Sequence, residues 1–336
     1  MLSEEFQQIV FDNNIKNVNK FIPLLQEYVS LQKKISKDEN FAYYDLLEDT
    51  KNSQKISLEQ AHELVLNANK QIGEEYVNLV KKKLTDNSID YMPNKNKNSG
   101  AYCSNCYDAK TLILMNYNHD FNSVSTLIHE MGHCINAEYF NSSQQREKAE
   151  ISIFAAEIAS TTNEILLNLE MQKNASKEDK AYYIRTLLDD IRSTIFRQTL
   201  FCEFELFAHL AIDNETPLTY ADLNKKYFEL NEKYYGTSCE LPKELQYEWA
   251  RIPHFYNAYY VYSYSTGMIT AITIAYKLLH EKEFYKDYIK FLKNGTNKPA
   301  VEILKEIGID LTTDVPFETA FKFMREQLDA YKELNK

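Results

Sequence analysis

Ser125-Thr-Leu-Ile-His129-Glu130-Met131-Gly132-His133 reads His-Glu-x-x-His inside an apolar run, Val124, Leu127, Ile128, Met131 and Ile135. The spacing of those apolar residues predicts one face of a helix. In a helix, residues four apart lie one above the other, so His129 and His133 project side by side. Two imidazoles so placed suit one Zn²⁺ ion, and Glu130 on the next face can reach a water at that ion as general base. Gly132 costs about 1 kcal/mol against alanine in a helix interior; close approach of another backbone or of substrate would account for it. The competing reading is an exposed helix with two unrelated histidines. Apolar neighbours weaken it, because unpaired polar groups among them are costly.

A catalytic zinc keeps three protein ligands and an open position. Downstream, Ile151-Ser-Ile-Phe-Ala-Ala-Glu157-Ile-Ala-Ser-Thr-Thr-Asn-Glu164 is a second apolar helical run. Glu157 is the candidate third ligand, since the chain has room to turn and return on a helix facing the first. A cation explains a buried carboxylate there better than packing does. Glu164, seven residues on, either orients a histidine or is an exposed helix residue. Upstream, Thr111-Leu-Ile-Leu-Met-Asn116 is the best strand candidate. It is either an edge that holds an extended peptide by main-chain hydrogen bonds or a core strand without substrate contact.

The segment from Trp249 to Gly267 is rich in groups that can stabilise an oxyanion. Amide hydrolysis passes through a tetrahedral oxyanion, and neutral donors such as His and Tyr hydroxyl, held in place beforehand, stabilise it. His254 follows Pro253, which disfavours helix at Ile252. Tyr259 and Tyr262, three apart, are expected to share a helix face. With 25 tyrosines in the chain, an aromatic helix that is simply core is the alternative.

Totals bound the class. At 336 residues the chain can bury a substantial core, as one large domain or two closely packed ones. Only 7 glycines and 7 prolines favour long helices over a sandwich or barrel. The net charge of -11 argues against a nucleic-acid surface. The start, Met1-Leu-Ser-Glu-Glu-Phe, is acidic and unlike a secretory signal, and no apolar run reaches the length of a membrane span. Five cysteines, an odd number, suit a reducing cytosol. Cys103-Ser-Asn-Cys106 has half of a zinc-knuckle spacing but no second pair, so loop thiols are the default.

Periodicity predicts further helices. Phe21, Leu24, Leu25, Tyr28 and Leu31 mark one in the first 50 residues. The capping box Ser57-Leu-Glu-Gln60 opens a long helical stretch that runs to Lys81-Lys-Lys83. His62 reads as a surface residue. Residues 85 to 100 read as a loop. Ser176 and Thr219 look like helix starts, Gly236 a helix stop, and a last helix is expected after Pro316. The strand content is small, so the fold is mainly α.

Several of these stretches together resemble a known family. His129-Glu-Met-Gly-His133 and Phe154-Ala-Ala-Glu157-Ile-Ala-Ser-Thr-Thr-Asn-Glu164 resemble the oligoendopeptidase F branch of the thimet oligopeptidase family. So do Gly100-Ala-Tyr102 with Leu114-Met-Asn116, and Arg251-Ile-Pro-His-Phe-Tyr256 with Tyr262 and Thr266-Gly267. Phe291-Leu-Lys-Asn-Gly295 and Gly308-Ile-Asp-Leu311 fit the family's closing segment. The resemblance runs from about Tyr43 to Leu311, with its blocks in order.

What the resemblance implies is a cytoplasmic zinc endopeptidase acting on short, unstructured peptides, with one zinc per chain. The fold would be a zincin-type helical catalytic domain with a small β-sheet edging the cleft. It implies His129, His133 and Glu157 as ligands, Glu130 as general base, and His254, Tyr259 and Tyr262 as transition-state donors. Gly100, Ala101, Tyr102 and Asn116 would bind substrate, and Glu164 would support a ligand. On this reading residues 1–336 are one catalytic domain. Within it, 1–90 form a helical lead-in, 91–170 the sheet and zinc helices, and 171–336 the part carrying the His/Tyr wall. Neither nucleic acid nor membrane is an expected partner.

One departure is large. Family members are usually about twice as long, with an N-terminal helical half as the opposite channel wall. A self-associated copy or a separate N-terminal-half partner would replace it, or it is lacking altogether. The alternative function is therefore a partner-dependent or inactive peptide-binding half-enzyme, with a metallohydrolase of another substrate class behind it.

Overall fold

A computed structural model describes residues 7–48 and 54–336 of the chain. The acidic start Met1–Phe6, read above for a leader, lies outside the described residues. In chain order the helices are α1 Gln8–Lys20, α2 Ile22–Ser36, α3 Leu58–Ala68, α4 Glu74–Thr85, α5 Phe121–Ser143, α6 Ile153–Lys173 and α7 Lys177–Ile191. They continue with α8 Arg197–Asp213, α9 Tyr220–Tyr235, α10 Tyr262–His280, α11 Phe284–Leu292, α12 Ala300–Glu306 and α13 Val315–Leu334. The strands are β1 Ile89–Asp90, β2 Tyr102–Ser104 and β3 Leu112–Leu114. The fold is mainly α with one small sheet, the class that the glycine and proline counts favour.

The chain forms two compact units, each assembled from separated stretches. The first contains the described residues up to 48 with Arg185–Ile269 and Leu311–Lys336. Its core is aromatic: Phe11, Tyr28, Phe196, Phe201, Tyr227, Tyr234 and Tyr235 are all fully buried. Some of its buried polar groups satisfy one another across elements. Asn14 of α1, Thr199 of α8 and Ser265 of α10 form a ring of hydrogen bonds of 2.8–3.1 Å. Arg325 of α13 grips both oxygens of Glu27 on α2, at 2.9 and 2.6 Å, the two-pronged geometry that only a guanidinium offers.

The second unit, with the described residues from 54 to Ile184 and Thr270–Asp310, carries the sheet and the His-Glu-x-x-His helix. Its strand order is β1-β3-β2, with β3 parallel to β1 and antiparallel to β2. The strand expected over Thr111–Asn116 is therefore β3, and it is central. With a neighbour on each side it has no free edge for a peptide, so of its two readings the core strand holds; Ile113 and Met115 are buried. The sheet's edge on this side is β2. The loop expected over residues 85–100 is interrupted by β1, too short to leave a pattern.

The single helix expected from Ser57 to Lys83 is two. Ser57 and Gln60 do form the capping box, but a short 3₁₀ turn, Asn69–Ile72, and Gly73 at φ 101° separate α3 from α4. A positive φ is incompatible with a continuing α-helix, and glycine adopts it without penalty. His62, expected at the surface, is half-buried and bonded through Nε2 to the Tyr91 hydroxyl at 2.8 Å. Thr219 caps α9, Gly236 ends it, and Pro316 lies in the first turn of α13, as the pattern predicts.

α5 and α6 pack side by side, and Gly132 explains how closely. A Cβ placed there would sit 2.7 Å from the Ser160 Cα and 3.1 Å from the Ala159 carbonyl oxygen. The awkward glycine is thus the point where one backbone passes another. All five apolar residues of the opening stretch are fully buried on α5. Asp120 caps α5 by accepting the Ser123 N–H at 2.8 Å, and Ser152 caps α6 by accepting from Ala155.

This contact sets the sign of a substitution. In an isolated helix Gly132→Ala would stabilise by about 1 kcal/mol. Here the methyl meets backbone that cannot yield, and overpacking should cost about 1–3 kcal/mol. We expect a lowered Tm in thermal melts; a raised Tm would mean that the helices are not in contact at this point.

Candidate metal centre

The centre is built from α5 and α6 within the second unit. Four-residue spacing puts His129 and His133 on one face of α5, with their Nε2 atoms 3.1 Å apart. Across the Gly132 contact, Glu157 of α6 brings Oε2 to 3.6 Å from His129 Nε2 and Oε1 to 3.8 Å from His133 Nε2. Among the described residues, this is the one cluster of three such donors with all ligand atoms within 4.8 Å of one another. Zinc bonds of about 2.0–2.1 Å in tetrahedral geometry place ligand atoms about 3.3–3.4 Å apart, so the donor set fits such an ion in number, type and spacing.

The remaining ring nitrogen of His129 is occupied. Nδ1 lies 2.6 Å from Glu164 Oε1, and the Ser125 hydroxyl donates to Glu164 Oε2 at 3.2 Å. A proton held between Nδ1 and the carboxylate fixes the tautomer that leaves the Nε2 lone pair facing the other donors. Of the two readings of Glu164, the partner of a histidine is the one this geometry favours. Glu157 is steadied by the Ser160 hydroxyl, which donates to its Oε2 at 3.1 Å. Glu157, expected to be buried, has a side chain 44% exposed, so avoidance of a buried charge does not explain it. What distinguishes it is the pair of imidazoles opposite.

Without an ion the charges compete. Burial pulls the His129 imidazolium down, but the Glu164 hydrogen bond and the charges of Glu164, Glu157 and Glu130 outweigh it and hold His129 up to about 9. His133 is pushed down to about 4 by burial and by the neighbouring His129. Glu130, buried on α5, has its carboxyl raised, first by desolvation and also by the acids nearby; His129 and the Cys103 main-chain N–H pull the other way. A carboxylate raised in this way is a better proton acceptor than a solvated one.

The sheet lies against this helix. Cys103, on β2, is at once the main-chain partner of Glu130 and a side-chain neighbour of Cys134 on α5. Its thiol is part of the sheet–helix packing, whereas Cys106 is exposed; all five cysteines are unpaired. Just before β2, Gly100 is at φ 87° with open space where a Cβ would stand, and Ala101 leads into the strand. Tyr102 projects from β2, half-exposed. The Asn116 amide is committed to this loop: it donates to the Asn98 and Gly100 carbonyls, both at 2.9 Å.

His254, Tyr259 and Tyr262 belong to the first unit. Ile252 is extended, as Pro253 dictates, and a 3₁₀ turn, Pro253–Tyr256, carries His254. The His254 ring is flanked by Tyr260, stacked at 6.0 Å, and by the edge of Tyr264 at 5.6 Å. Tyr262 is buried and opens α10. The expectation that Tyr259 and Tyr262 share a helix face fails, because Tyr259 precedes the helix at φ 54°, where no L-residue continues an α-helix.

One residue of this segment's surroundings escapes a pattern-based reading. Glu205 of α8 is buried and accepts the Tyr259 N–H at 2.6 Å. Desolvation pushes its carboxyl up to about 7, against the pull of that N–H. The signal is present in Phe204-Glu205-Leu206-Phe207, an acid inside an aromatic run, but nothing there indicates what it meets. Ser125 and Ser160, which steady the two carboxylates at the centre, are likewise ordinary helix residues until the fold is known.

Comparison with known proteins gives the family. The model of Peptidase family M3 matches residues 3–323. Oligopeptidase PepF of Bacillus subtilis is 39% identical over 331 residues, 97% of this chain and 49% of that protein. The crystal structure of a putative peptidase from Chlamydophila abortus superposes with a TM-score of 0.93 at 35% identity, covering 98% of this chain and 56% of the other. That of oligoendopeptidase-F from Enterococcus faecium gives 0.76 at 33% identity, covering 98% and 53%. The chain spans about half the length of the curated relatives it matches. A match across nearly every described element, with a His/His/Glu centre beside a buried acid, makes the chain a member of peptidase family M3.

Proposed function

We propose that the chain is a zinc-dependent oligopeptidase that hydrolyses internal bonds of short, unstructured peptides. The observation that carries this reading is the trio His129, His133 and Glu157 at the spacing of a tetrahedral ion, with Glu130 buried beside it. A zinc ion bound there would act as Lewis acid toward the scissile carbonyl and make water easier to deprotonate. Glu130 takes the proton from the attacking water and delivers it to the leaving amine. Glu164 keeps His129 in its ligating tautomer through the 2.6 Å contact.

The remaining roles follow the family pattern. His254 and Tyr262 donate hydrogen bonds to the developing oxyanion, with Tyr259 in the same segment. The outer edge of β2, with Gly100 and Ala101 before it, pairs with the main chain of an extended peptide, which recognises backbone whatever the side chains. Asn116 serves by shaping that loop. The five unpaired thiols suit a reducing compartment, and the cytoplasm is the proposed location.

A second reading has one observation in its favour: the chain is about half as long as its relatives. On it, this chain binds peptide and cleaves only with a partner or a second copy. A quenched peptide incubated with the purified chain, with and without a chelator, separates the two when read together with solution mass. Cleavage by a monomer that the chelator abolishes supports the first reading; cleavage only on adding a partner supports the second.

Three substitutions test the roles. Glu130→Gln should keep the metal and lower kcat about 10²–10⁴-fold; undiminished cleavage would remove Glu130 from the mechanism. Glu164→Gln should weaken metal affinity about 10–100-fold, measured by competition with a chromogenic chelator, and an unchanged affinity would make the contact incidental. For His254→Ala we expect kcat about 10²–10³-fold lower with KM nearly unmoved. A loss confined to KM would point to substrate binding instead.

A further inference from the structure

Tyr259 is held in an unusual way. Its φ of 54° lies in the left-handed region, which side chains other than glycine, asparagine and aspartate rarely occupy and which persists only where the surroundings over-determine it. Three groups of the first unit do so. Glu205 Oε1 accepts its N–H at 2.6 Å. His209, one turn further along α8, stacks on its ring at 4.7 Å between centroids and brings Nε2 to 3.8 Å from the same carboxylate oxygen. Phe11 of α1 meets the ring edge-on at 5.2 Å and also touches Tyr262, at 5.8 Å.

The carboxylate makes little sense as packing. Glu205 is 3% exposed, and its Oε2 is buried with no hydrogen-bond partner among the described residues. An apolar side chain would fill the same space without desolvating an acid. Its Oε1 accepts the Tyr259 main-chain N–H, and Tyr259 lies between His254 and Tyr262. On either side the chain is a series of tight turns: Asn257 N–H to the His254 carbonyl at 3.0 Å, Tyr260 to Asn257 at 3.1 Å, Ser263 to Tyr260 at 3.2 Å. A rotation at Tyr259 therefore changes where His254 stands relative to Tyr262.

We propose that Glu205 is a positioning residue: by accepting the Tyr259 N–H it locks the left-handed turn that fixes His254 and Tyr262 relative to each other. His209 assists by pinning the Tyr259 ring. The functional part of the proposal rests on the peptidase reading and on the donor role of His254 and Tyr262; the structural part does not.

The test uses the full chain in three forms, Glu205→Gln, Glu205→Met and Glu205→Ala. Glutamine keeps an acceptor oxygen; methionine fills the volume without one, which keeps the experiment decisive if alanine fails to fold. Amide hydrogen exchange is followed across 255–261, and kcat and KM with a quenched peptide. We expect methionine and alanine to speed exchange in that stretch at least about tenfold and to lower kcat about 10–100-fold with little change in KM. Glutamine should restore both. Wild-type exchange and kcat in Glu205→Met would overturn the proposal, as would a glutamine variant as impaired as methionine. Exchange is read whether or not the chain cleaves anything, and Glu130→Gln should leave it unmoved. A failure of the peptidase reading is thus distinguishable: it abolishes turnover in every form while the exchange pattern still follows Glu205.

Discussion

The spacing between α5 and α6 is the constraint on which the centre depends. How far the Glu157 carboxylate stands from the two imidazoles depends on how closely the two backbones run. Gly132, one residue before His133, provides that approach, with the Ser160 Cα where a side chain would have been. The donor atoms then stand 3.1–3.8 Å apart. Sub-ångström changes here matter because packed helices do not deform continuously.

The electrostatics follow from the same packing. Glu130, Glu157 and Glu164 all act on His129, holding it protonated to about 9 in the absence of a metal, while His133 is driven down to about 4. Two chemically identical side chains are thus shifted in opposite directions by their neighbours. Glu164 occupies Nδ1 of His129, and burial raises the Glu130 carboxyl. Each carboxylate has a distinct environment.

Much of this was legible in the residues. The His129/Glu130/His133 stretch, the apolar run holding Glu157, the capping boxes and Gly132 are local signals with local causes, and the fold retains them. What was not legible depends on contacts distant in the chain. Gly73 breaks a helix that periodicity alone would continue, because periodicity does not register a positive φ. Whether β3 was an edge or a core strand stayed open, and it is central, since β1 is two residues long and leaves no alternation to read. Tyr259 fell out of its helix because Glu205, on another element, supplies the acceptor that its turn needs. The exposure of Glu157 is a further case: its neighbours in sequence are apolar, yet its side chain, turned toward the imidazoles of α5, is 44% exposed.

The strand at the margin of the sheet has a consequence for solubility. β2 is three residues long, and an unpaired margin of that length offers few main-chain groups to another molecule. Long, flat, uncovered strands invite ladder growth between copies and end in fibres. A margin cut to three residues, preceded by a turn at Gly100 that Asn116 ties down, gives a neighbouring copy too little backbone to zip onto.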